Sequence, residues 1–174
     1  MWLVAGYILT IPGANWLIQH VGTVCIPNGP CLIPVAPNVM APSGVLLIGV
    51  ALLLRDFVQR KHGAVWSLAC IAAGTALSVL IAPPSLAIAS GAAFAFGELA
   101  DFAAFTPLYR NRFYLALIAS CTVGSVIDSV LFLWLAFGNL DHIIGQLIGK
   151  IYAMLAYTIV RPLLGNQNRK LAQR

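Results

Sequence analysis

Apolar residues run along this chain in six long blocks, separated by short segments that hold most of its turn formers and charges. The blocks cover about residues 3–21, 43–59, 64–82, 85–105, 113–137 and 142–163. Each approaches the roughly 20 residues a helix needs to cross the hydrocarbon core of a bilayer. The pattern predicts an all-α integral membrane protein of six transmembrane helices, forming one domain over 1–174. The first block lacks the basic start of a cleaved leader and runs into Asn15 and Gln19 rather than a small-residue cleavage site, so it is read as the first span.

Composition excludes the soluble alternative. The chain is 60% hydrophobic and 9% charged, about a third of the roughly 25% charged fraction of soluble domains. Its net charge of +5 would suggest an acidic partner elsewhere, but here the basic residues mark orientation, and no nucleic acid is expected. Arg60 and Lys61 lie between the second and third blocks, Arg110 and Arg112 between the fourth and fifth, and Arg169, Lys170 and Arg174 in the tail. Segments 22–42, 83–84 and 138–141 have no Lys or Arg. Short cytoplasmic loops retain basic residues, so both termini are expected in the cytoplasm of a multi-pass protein of the inner (cytoplasmic) membrane.

Segment 22–42 holds five of the ten prolines among Val, Ile and Leu, with no charge. Proline cannot continue a helix, so the segment is expected to form a stiff strap on the outer face, either a connector packed on helix ends or a lid over a cavity. Cys25 and Cys31 fit no zinc spacing, and a disulfide between them is an open alternative. Cys70 and Cys121 fall in apolar runs as packing residues.

An ionisable side chain inside a span is expensive and marks a candidate site. Glu98, Asp101, Asp128 and Lys150 qualify. Asp128 precedes the outer end of span five, and Lys150 follows the outer start of span six, by similar distances, so a salt bridge at one depth is expected. Glu98 and Asp101, three apart, share a helix face with Phe94. Arg55 stands at a depth suited to pair with Asp101. Gln146 and Lys150 are one turn apart, as are Asn15 and Gln19, the latter after a Pro12-Gly13 pair expected to break or kink the first helix. Gly145 and Gly149 form a spacing typical of close helix packing. No nucleophile motif, metal spacing or phosphate loop is present, so neither enzyme activity nor a cofactor or metal is expected. Carboxylates, amides, an ammonium and the rings of Trp16, Phe94, Phe102, Phe132 and Trp134 would suit a flat polar heterocycle.

Several motifs carry a family resemblance. Ala41-Pro42-Ser43-Gly44 running on to Leu54-Arg55-Asp56-Phe57, Gly97-Glu98-Leu99-Ala100-Asp101 with Thr106-Pro107-Leu108, Val123-Gly124-Ser125 with Asp128-Ser129, Leu135-Ala136-Phe137-Gly138, and Gly145-Gln146 with Gly149-Lys150 resemble the VUT family of vitamin uptake transporters. That family is also called the queuosine precursor transporter family. The resemblance implies a six-helix prokaryotic importer of 7-deazaguanines such as preQ0 and preQ1. Carried over, it implies substrate-binding roles for Glu98, Asp101, Asp128, Lys150 and Gln146, to which the inward polar and aromatic pattern adds Asn15, Gln19 and Phe94, with Glu98 first in line for the ring-edge donors. Arg55 and Asp56 become a cytoplasmic gate or coupling pair. Gly97 and Phe105 depart from the serine and tyrosine common at those positions. A coupling proton and a second copy of the chain are partners this reading leaves open. The alternative is a substrate-binding subunit that needs an ATP-driven module, like the S components of energy-coupling factor transporters. The small-residue pair Ala69 and Ala73 hints at such docking.

Overall fold

A computed structural model describes residues 1–27 and 29–156. Six helices are present among them: α1 (Trp2–His20), α2 (Val45–His62), α3 (Ala64–Ile81), α4 (Ala87–Phe105), α5 (Phe113–Phe137) and α6 (Ile143–Ala156). Each falls within one of the six apolar blocks, give or take a few residues. The last part of the sixth block, 157–163, and the basic tail lie outside the described residues. Of these helices α3, α4 and α5 are long and apolar enough to cross a membrane. α2 matches them in length but carries Arg55, Asp56, Arg60 and Lys61. α1 continues through Pro12 without a break.

The bundle is inverted relative to a soluble domain. Trp2, Leu80, Ile88, Phe96, Tyr114 and Trp134 face outward, whereas Arg55, Asp56, Gln59, Glu98, Asp101 and Lys150 are almost wholly buried. Lipid solvates the first set without cost, and only the protein interior can satisfy the second. Short connections keep sequential helices adjacent. The tightest is Gly63, the single residue between α2 and α3, whose φ of 91° suits glycine alone.

The proline-rich strap forms a three-stranded antiparallel sheet of β1 (Val24–Cys25), β2 (Cys31–Ala36) and β3 (Val39–Pro42), in that order, which the all-α reading did not include. Cys25 pairs with Cys31 across β1 and β2, and the two form a disulfide. β2 pairs with β3 from Leu32↔Pro42 to Ala36↔Val39, with an irregularity between Pro34 and Ala36. Prolines are tolerated in sheets at edges and irregularities, and Asn38 adopts the positive φ of 58° that the β2–β3 turn needs. The sheet is fastened at two points: Ser43 donates to the Leu17 carbonyl at 2.7 Å, and Tyr152 of α6 donates to the Val35 carbonyl at 2.8 Å.

Close approaches set how the helices meet. A side chain at Gly97 would meet Asp128 Cβ at 2.6 Å, and one at Gly124 would meet Asp101 Cβ at 2.7 Å, so α4 and α5 touch backbone to backbone where their acids lie. Gly145 lies against the Met40 carbonyl of β3, and Gly149 against Val45 of α2. The small residues of α6 thus seat it under the sheet and against α2, and turn Gln146 and Lys150 inward.

Candidate functional site

Two buried ionic groups occupy the bundle. The first is built around Arg55, whose guanidinium is wholly buried. Its Nε faces Glu98 Oε2 at 3.2 Å, its Nη1 donates to Gln59 Oε1 at 2.8 Å, and its Nη2 contacts Asp56 Oδ1 at 2.6 Å and also Asp101. A planar fork of five donors can serve several carboxylates at once, where a lysine would act as a point charge. The ring of Phe105 lies 5.7 Å from the guanidinium carbon, adding a cation–π contact. Gln59, one turn beyond Arg55, passes the network to the Thr106 hydroxyl at 2.9 Å. Ser120 of α5 donates to Asp56 Oδ2 at 2.8 Å. The cluster therefore joins α2, α4 and α5.

The second group is Lys150 of α6 with Asp128 of α5, ion-paired as their equal depth predicts. The ammonium also contacts Ser129 Oγ at 2.7 Å and the Ser125 carbonyl at 3.3 Å. Three acceptors match its three N–H donors. Asp128, Lys150, Asn15, Gln146, Phe94 and Phe132 all line one cavity, of about 50 Å³. The cavity continues past Pro42 and Gly44 at the end of β3, and past Ser78 and Ser90, whose hydroxyls share a hydrogen bond of 2.8 Å.

The predicted site residues thus separate. Asn15, Phe94, Asp128, Gln146 and Lys150 converge on the cavity. Glu98 and Asp101 are not among the residues lining it; Arg55 holds both in its own cluster. Arg55 and Asp56 are fully buried in that cluster. Gln19 is exposed and bonds back to the Asn15 carbonyl at 2.9 Å instead of entering the cavity. Trp16 and Trp134 are more than half exposed and face outward. Asn15 spends one amide N–H on the Ile11 carbonyl at 3.0 Å, leaving its oxygen and second N–H for other partners. Sequence reasoning missed Gln59, Ser120, Ser125 and Ser129. A signal existed on α5, where Ser120, Gly124 and Asp128 recur every four residues and so form one face.

Residues 78–164, half the chain, match the family described as "Putative vitamin uptake transporter". The chain belongs to this family. As a member of the vitamin uptake transporter family with apolar outward-facing helices, it is a membrane transporter. The matched stretch contains Glu98, Asp101, Asp128, Gln146 and Lys150, and it ends upstream at Ser78, so Arg55 and Asn15 lie outside it. No curated protein and no solved structure matches the chain.

Proposed function

We propose that this transporter imports 7-deazaguanine precursors of queuosine, such as preQ0 and preQ1, across the cytoplasmic membrane, with six spans and both termini inside. The observation that carries this reading is the composition of the cavity. One carboxylate, one ammonium, two amides and two phenyl rings converge on a single space. Asp128 accepts two N–H donors from the edge of a guanine-like ring. Gln146, Asn15 and Lys150 serve the ring carbonyl and nitrogens, and Phe94 and Phe132 cover the ring faces. The basic turns Arg60-Lys61 and Arg110 to Arg112 lie at the bundle end opposite the sheet, which supports placing the sheet outside. A disulfide in that sheet agrees with an oxidising compartment.

The test is ligand-induced thermal stabilisation of the purified protein by preQ0, preQ1, queuine and guanine. Stabilisation by the deazaguanines, lost in Asp128→Asn and weakened in Gln146→Ala, is the expected result. Absence of stabilisation by all four would remove the substrate assignment. Uptake of preQ0 by the purified chain in liposomes is also expected, and failure there despite binding would favour the subunit that needs an ATP-driven partner.

A further inference from the structure

The Arg55 cluster does not balance. Arg55 faces Asp56, Glu98 and Asp101, one positive charge against three carboxyl groups, all at most 2% exposed. The groups around Glu98 can be taken helix by helix: Tyr7 on α1, Arg55 and Asp56 on α2, Cys70 on α3, Asp101 on α4, and Cys121 and Asp128 on α5. Among the described residues only Arg55 there is cationic, and Lys150 is committed to Asp128, Ser129 and the Ser125 carbonyl. Two uncompensated charges in a membrane interior cannot be solvated. Something positive must therefore reside in the cluster.

We propose that this cluster is a proton-binding site that holds two protons at neutral pH, one shared by Asp56 and Asp101 and one on Glu98, with the Glu98 proton exchanging during transport. The last clause rests on the importer reading above. Geometry favours protons over a metal ion. The guanidinium already occupies the space between the carboxylates, since its Nη2 contacts both Asp56 and Asp101, and a metal would have to sit beside that like charge. Ligand atoms of Asp56, Asp101 and Cys121 lie within 4.8 Å of one another, and two carboxylates sharing a site hold a proton between them.

An independent observation comes from α1. The Tyr7 hydroxyl is wholly buried and faces Glu98, and among the described residues neither it nor Glu98 Oε1 has a hydrogen-bond partner other than the two groups themselves. The phenol O–H donates toward Glu98, and a proton on that carboxyl keeps the buried oxygen pair uncharged. Phe94, one turn before Glu98, packs its ring 6.2 Å from that of Tyr7 and also forms cavity wall. The proton on Glu98 therefore sits just behind the cavity, where ligand-driven movement of Phe94 would change its exposure.

Infrared spectroscopy of the protein in lipid nanodiscs, without substrate, reads this directly. Two protonated-carboxyl C=O contributions are expected at neutral pH, both moving on exchange into D2O. Glu98→Gln should remove one and Asp101→Asn the other. A wild-type spectrum lacking such bands overturns the proposal whether or not the variants fold, as does their disappearance when sodium replaces choline, which would assign the charge to a metal cation. Because no deazaguanine is present, a failure here is distinct from a failure of the substrate assignment.

Discussion

The Arg55 cluster and the Lys150 pair share one bundle and are both almost wholly buried, yet they are built to different ratios. Lys150 meets one carboxylate and fills its remaining donors with Ser129 and the Ser125 carbonyl, and it borders the cavity. Arg55 meets three carboxyl groups, has Gln59 on its fourth side, and stands apart from the cavity lining. A balanced pair beside open space can trade partners with a ligand at little electrostatic cost. An unbalanced cluster closed off from that space responds instead to the arrival or departure of a proton. Proximity in sequence is a poor guide to this division, since α5 contributes Ser120 to the first group and Ser125, Asp128 and Ser129 to the second.

The difference between the two groups is largest in its consequences at Arg55. Arg55→Leu leaves three buried carboxyl groups without a cation and is expected to cost about 3–5 kcal/mol or more, seen as loss of the monodisperse peak in detergent. Next is the Lys150 pair. Lys150→Met alone should destabilise by about 3–5 kcal/mol, whereas adding Asp128→Asn should recover most of that, because a buried pair replaced as a whole is often near neutral. The double variant should melt near the wild-type temperature while losing preQ0 binding by more than about tenfold, the loss of a charged hydrogen bond. Failure of the double variant to recover would make the pair part of a larger network. Gly124→Ala pushes Asp101 away from α5 and should cost about 1–3 kcal/mol through overpacking, measured by thermal denaturation. The smallest effects are expected at Gln19→Ala and Trp134→Ala, within about 0.5 kcal/mol of wild type and with preQ0 affinity unchanged, since neither side chain enters the cavity.

Much of this arrangement was legible before the fold. Apolar block length located the helices, and equal depth with opposite charge paired Asp128 with Lys150. Depth also matched Arg55 to Asp101. Legibility ended where helix phase decided the outcome. Asn15 and Gln19 are one turn apart, but Gln19 lies in the last turn of α1, where its amide reaches back to the Asn15 carbonyl. Trp16 and Trp134 belong to helices whose apolar residues face lipid and interior alike, so hydrophobicity does not tell which side a ring takes. The sheet was hidden by its prolines, which argue against strands unless an irregularity such as that near Pro34 accommodates them. The separation of Glu98 from Asp128 was illegible for another reason. Glu98 is deflected by Arg55, a residue 43 positions away in sequence.

The division of labour between the two groups is tested most directly by measuring preQ0 affinity and preQ0 uptake on the same two variants, Glu98→Gln and Asp128→Asn. Glu98→Gln is expected to bind preQ0 like wild type but no longer to accumulate it, while Asp128→Asn loses both. Loss of binding in Glu98→Gln, or full uptake by it, would show that the two groups do not divide binding from proton exchange.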